Sequence, residues 1–176
     1  MKPQTIGVSR GLVIALLTVS LMPVSASAID EKRLTFYHTH TGKHLDVVYA
    51  RDGKYIEPAL EQINVFLGDS RTGDVTSIDP RLLDLIYDIH QSFADAGTFE
   101  VISAYRSPAT NEMLRKRSGN VASKSQHLLG KAIDVRLSGV DTAQLHDAAL
   151  TMKRGGVGYY RKSDFVHIDT GRVRRW

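Results

Sequence analysis

A single α+β domain with a mostly antiparallel sheet and flanking helices is the fold class this sequence predicts, on three observations. Short β-prone pieces recur at both ends of the mature region, at residues 34–37, 45–49, 157–160 and 165–169. Between them, several segments with helical apolar spacing begin at an acid or serine cap, twice followed by proline. No internal repeat or linker divides the 176 residues, so one domain is expected.

The elements follow in order. Lys2 and Arg10 precede an uncharged run at residues 11–21, and Pro23 and Ser25-Ala-Ser-Ala28 come next, the outline of a secretory signal with cleavage after Ala28. The run is shorter than the roughly 20 apolar residues a bilayer span needs, although an uncleaved anchor is the alternative. The expected division is therefore a signal peptide at 1–28 and a folded domain at 29–176, exported by a Sec-type route, with no membrane span after cleavage. Lys2 and Arg10 are two of the 23 basic residues, and the 21 that remain against 19 acidic ones leave a net charge of only +2. The basic residues are scattered, which argues against a nucleic-acid partner.

Residues 33–50 read as a hairpin turned at Thr41-Gly42-Lys43. Leu60, Ile63 and Leu67 recur at helical spacing until Gly68-Asp69. Asp79-Pro80 opens a helix with the stripe Leu82, Ile86, Ile89 and Phe93, closed by Gly97. Residues 99–105 form the first core strand, with Arg106 at its end. Ser107-Pro108 opens a helix to about Arg117, and residues 131–137 alternate with Asp134 facing away from Ile133 and Val135. Asp141 caps a helix to about Met152, and two β pieces close the domain.

With 42% hydrophobic and 24% charged residues the chain is an ordinary globular protein, and the absence of cysteine excludes a disulfide scaffold, a thiolate metal site and a cysteine nucleophile. No Gly-x-Ser-x-Gly elbow supports a serine hydrolase. Three residues instead put ligand-type side chains in or beside strands: His127, Asp134 and His167. A catalytic zinc takes three such ligands and leaves a fourth position for water. His127 and Asp134 are seven apart and converge only if the chain turns between them, for which Gly130 is the place. Taken singly, each has an ordinary structural reading. His38 and His40, with His44 nearby, lack a third ligand of fixed geometry.

Ser125-Gln-His127-Leu-Leu-Gly130-Lys-Ala132-Ile-Asp134 resembles the Ser-x-His-x-x-Gly-x-Ala-x-Asp motif of the D-alanyl-D-alanine zinc peptidases, which include dipeptidases, carboxypeptidases and murein endopeptidases. Phe165-Val-His167-Ile-Asp169 is similar to the second metal-binding strand of that family, and Ser103-Ala-Tyr105-Arg106-Ser107-Pro108 to its arginine-bearing strand end. The likeness runs from about Leu34 to Val173, nearest to the exported murein endopeptidases.

The resemblance implies one zinc ion on His127, Asp134 and His167, Asp164 as general base and acid, and Arg106 as oxyanion stabiliser. It implies substrate contacts from Tyr105 and from Ser125, which alternatively orients the His127 loop, and a supporting role for Asp169. Asp164 and His167 point to opposite faces of a regular strand, so the role of Asp164 requires a bend near Ser163. The expected function is a periplasmic, monomeric zinc peptidase acting on peptidoglycan peptides. A D-Ala carboxypeptidase and a non-catalytic wall-binding module are the alternatives.

Overall fold

Thr41-Gly42-Lys43 turns the chain between β1 (Glu31–His38) and β2 (His44–Arg51), which pair antiparallel as expected. Gly42 sits at φ +69 in that turn, a conformation that costs glycine little. In this computed structural model, residues 1, 30–94, 97–118 and 121–176 are described, so the export signal expected at the start lies, Met1 apart, outside the described residues.

A two-residue strand, β3 (Lys54–Tyr55), leads into α1 (Glu57–Phe66), and α2 (Pro80–His90) follows. Asp79 caps α2 by accepting the Arg81 N–H at 3.0 Å. The helix stops at His90, earlier than the apolar stripe predicts. Phe93 still packs against the core, but from a turn, because the chain reverses there to enter β4 (Phe99–Ser103). Gly97 therefore does not cap α2; its N–H donates to the Ser138 carbonyl.

The strand predicted over 99–105 also ends early. The Tyr105 and Arg106 N–H groups leave the ladder for the carbonyls of Leu67 and His127, at 3.0 and 3.2 Å. Next come α3 (Pro108–Ser118), a 3₁₀ turn (Gln126–Leu129), β5 (Ala132–Leu137), α4 (Thr142–Met152), β6 (Gly156–Tyr160), β7 (Phe165–Asp169) and β8 (Arg174–Arg175).

The eight strands form one sheet in the order β3-β2-β1-β4-β5-β7-β6-β8, with β1–β4 and β6–β8 parallel and the other five pairs antiparallel. One face is covered by α1, α2 and α4. There Ile63, Leu82, Ile86, Ile89 and Leu145 meet Phe36, Phe99, Ile133, Val135, Val166 and Ile168, all fully buried. Each such side chain contributes about 1.5–3 kcal/mol relative to exposure. Strand alternation sends Asp134 and His167 to the opposite face, where the site is built. Among the described residues no helix is long and apolar enough to cross a membrane.

Candidate metal centre

Asp134 on β5 and His167 on β7 lie directly opposite each other in the antiparallel register, so their side chains rise from the same face. His127 arrives from the 3₁₀ turn. Ser125 caps that turn, its hydroxyl accepting the His127 N–H at 3.3 Å, and Gly130 ends it at φ +64. A side chain at Gly130 would be strained and its Cβ would lie 2.4 Å from the Ser77 carbonyl oxygen. The turn expected between His127 and Asp134 is therefore present, and it brings the third ligand over the sheet.

The donor atoms of His127, Asp134 and His167 all lie within 4.8 Å of one another, the single such group of three among the described residues, and all three residues are buried. His127 Nε2 is 3.1 Å from His167 Nδ1, and Asp134 Oδ1 is 3.2 and 2.9 Å from those nitrogens. The outward nitrogens are occupied: His127 Nδ1 lies 2.6 Å from the Ala104 carbonyl oxygen and His167 Nε2 lies 2.8 Å from Asp169 Oδ2. Both partners only accept, so these nitrogens carry the protons. Neutral rings then turn two lone pairs and a carboxylate oxygen toward one point, an arrangement that calls for a cation. A tetrahedral ion with bonds of about 2.0–2.1 Å sets its ligands roughly 3.3 Å apart, close to these separations. The donor set fits zinc.

The electrostatics agree. Burial alone would raise the Asp134 carboxyl, but contact with His127 and His167 holds it well below the usual carboxylate range. Burial lowers the His127 imidazole, favouring the neutral ligand form. Burial also depresses His167, yet hydrogen bonds to Asp134 and Asp169 more than offset it and raise its affinity for a proton, so a proton and a cation compete for its Nδ1 lone pair. Asp169 is fully buried and stays ionised despite that burial, held by His167, by Arg174 through two hydrogen bonds of 3.1 and 2.6 Å, and by the Gly156 and Gly171 N–H groups.

Arg106 borders the cluster as expected. One of its terminal nitrogens donates to Asp134 Oδ2 at 2.6 Å and lies 3.2 Å from His127 Nε2, while Nε–H donates to the Ser103 hydroxyl at 2.9 Å. The segment carrying it is pinned on both sides: Tyr105 N–H to Leu67 O, and Ser107 N–H to Asp69 Oδ2 at 2.8 Å. Asp69 is buried, and hydrogen bonds from Thr110, Ser107 and Arg71 outweigh its burial and bring its carboxyl down to about 2. In the sequence Asp69 reads only as a helix stop; its reach across 38 residues to Ser107 leaves no local pattern.

One expected site residue meets a different geometry. Asp164 is not brought to the cluster. Its φ is +51, so the bend near Ser163 exists, but its Oδ1 accepts from Thr142 Oγ1 at 2.5 Å and its Oδ2 lies 3.3 Å from Arg136, with the side chain 65% exposed. Three residues before His167 is the wrong parity for the metal face, and the bend carries the carboxylate to the start of α4 instead. Ser125 spends its hydroxyl on the His127 N–H, which is the orienting role. Tyr105 is half-buried against the core. Among the described residues, Asp169 is the one carboxylate other than Asp134 that touches a ligand imidazole. The Trp176 ring also lies against His167, with centroids 5.1 Å apart. A cleft of about 590 Å³ between the hairpin tip and α1, lined by His38, Lys43, Phe66 and Val75 among others, includes none of the three ligands.

A family model described as peptidoglycan L,D-endopeptidase MepK matches residues 26–176. The peptidoglycan L,D-endopeptidase MepK of Escherichia coli strain K12 is 41% identical over 143 residues, covering 81% of this chain and 79% of that one. The probable peptidoglycan L,D-endopeptidase MepK of Haemophilus influenzae is 36% identical over 165 residues, 91% of this chain and 89% of the relative. A solved structure, the Serratia marcescens L-Ala D-Glu endopeptidase ChiX, aligns with a TM-score of 0.42 at 20% identity over 64% of this chain and 86% of that one.

Proposed function

Because this chain belongs to the M15 peptidase family described as peptidoglycan L,D-endopeptidase MepK, we propose that it is an exported zinc enzyme that hydrolyses an L,D amide bond in peptidoglycan cross-links. The observation that carries the reading is the convergence of His127 Nε2, Asp134 Oδ1 and His167 Nδ1 on one point, with the outward nitrogens already committed as donors. What a zinc ion supplies there is Lewis acidity, which brings the pKa of a water molecule to about 7 and polarises an amide carbonyl.

The chain's own residues do the rest. Ala104 and Asp169 hold the protons on His127 Nδ1 and His167 Nε2, so each ring keeps its ligand nitrogen free. Arg106, fixed by Ser103 and Asp134, offers a permanent positive charge beside the cluster to the amide oxygen as negative charge builds on it. The relatives, named as L,D-endopeptidases, favour an endopeptidase over a carboxypeptidase. The placement of Asp164 favours a second reading, a zinc-containing wall-binding module that lacks a general base. The relatives, named as endopeptidases, weigh against it.

Export is read from the signal expected at residues 1–28, and the reading is of a periplasmic, monomeric domain over 29–176. Digestion of purified L,D-cross-linked muropeptide dimers, read by mass spectrometry, tests the activity. Zinc-loaded protein is expected to convert dimers to monomers, and chelation or His127→Ala to abolish that. A folded, zinc-loaded protein that leaves dimers intact would refute the enzyme reading.

A further inference from the structure

The metal face carries a strip of aromatic surface that the coordination chemistry does not use. In the β6–β7 register Gly158 lies opposite His167 and Tyr160 opposite Phe165, and β8 runs parallel to β6 with Gly156 opposite Arg174. Trp176 therefore comes to lie over Gly158. A Cβ at Gly158 would meet three indole atoms at 2.4–2.6 Å, so only glycine leaves room for the ring beside the metal ligand.

The indole is fixed on several sides. Its Nε1–H donates to the Tyr160 hydroxyl at 3.0 Å, its ring lies against His167, and the Arg174 guanidinium sits 4.9 Å from its centroid. Tyr160 in turn stacks on Phe165 at 4.5 Å and 15°. Yet Trp176 and Tyr160 remain 49% and 39% exposed. A rigid, half-exposed aromatic pair beside a catalytic centre is what a binding wall requires: large apolar area already ordered, so that contact costs little entropy.

We propose that Trp176 and Tyr160 form the wall of the substrate groove that receives the side chain of the residue flanking the scissile bond, specifically the methylene chain of the cross-linking diamino acid. The inference rests on the proposed peptidase function and names part of its specificity. The indole N–H is spent on Tyr160 and Arg174 already occupies the ring as a cation, so apolar surface is what the indole has left to offer. Since the ring touches a metal ligand and a residue spans at most about 3.6 Å, whatever contacts it lies within a residue or so of the cleaved bond, which selects the peptide over the glycan.

Two substrates and two variants test this with zinc-loaded protein: a muropeptide dimer, and a synthetic analogue in which alanine replaces the flanking diamino acid. Trp176→Ala is expected to lower kcat/KM on the dimer about tenfold, mostly through KM, the scale of losing a few methylene contacts. Trp176→Phe should restore most of it, while zinc content and cleavage of the alanine analogue stay at the wild-type level. Equal losses on both substrates, or loss of zinc, would show that the indole only supports His167 and would overturn the proposal, as would an unchanged KM. Trp176 is the sole tryptophan, so its fluorescence reports binding apart from turnover. A change on titration with dimer but not with the analogue is expected. Were wild-type protein to show that change without cleaving, the peptidase reading would fail while the groove stood; absence of any change would overturn the groove.

Discussion

Replacing Asp69 by asparagine tests the buried anchor that holds the Arg106 segment, and its size can be worked from the structure. The carboxylate accepts the Ser107 N–H at 2.8 Å and the Arg71 N–H at 2.9 Å, and Thr110 donates to it as well. These donors depress its pKa from 3.8 to about 2. At about 1.4 kcal/mol per pKa unit, that depression corresponds to about 2 kcal/mol of folding stability. The sign follows from linkage: on acidification the unfolded chain takes up the proton first, near pH 4. The contribution is therefore complete above that pH and disappears as the pH falls from about 4 toward 2. Asp69→Asn keeps the shape but cannot titrate, and its amide cannot accept from every one of these donors. Urea unfolding is expected to show the variant about 2 kcal/mol less stable at pH 7, with the gap closing below pH 4. Because Ser107 adjoins Arg106, turnover should fall while zinc content is kept. A gap that does not depend on pH, or no gap at all, would refute the assignment of a charged anchor.

Asp169→Asn leaves His167 Nε2 without its carboxylate, and zinc affinity measured by chelator competition is expected to fall about 10- to 100-fold; an unchanged affinity would mean that Asp169 does not orient the ligand. Arg106→Gln, which removes the charge but leaves a polar group, is expected to lower kcat by roughly 10²–10³ with zinc still bound, and a change confined to KM would contradict the oxyanion role. Asp164→Gly suits the φ of +51 and is expected to retain dimer cleavage within a few-fold, whereas complete inactivation would mean that the carboxylate leaves Thr142 to act in the reaction.

The parts of the fold legible in the sequence are those with local causes. The hairpin at Gly42, the cap and proline at Asp79-Pro80 and the alternation around Asp134 each act within a few residues, and each element is present. The ends of elements were less legible because distant partners set them. The strand through Phe99 stops at Ser103 since Leu67 and His127 take the next two N–H groups, and α2 stops at His90 since the chain must reach β4. The two-residue strands β3 and β8 are too short to carry any period. Asp69 and Trp176 escaped for a related reason: one acts across 38 residues, and the other matters through the empty space at Gly158.

The case of Asp164 separates two kinds of inference. Strand parity places it on the face opposite His167, and that rule needs no relatives. The resemblance asked for a bend that would overrule parity. The bend exists, at φ +51, but a bend only frees the side chain from the strand's alternation, and what the side chain then meets decides its direction. Here it meets the Thr142 hydroxyl and Arg136. The ligands differ because each is tied twice, once toward the common point and once away from it: His127 by Ala104, His167 by Asp169, and Asp134 between Arg106 and the two imidazoles. Such double ties make a position specific. Asp164 has no tie that points toward the cluster, so its partners, and not its sequence position, set its direction.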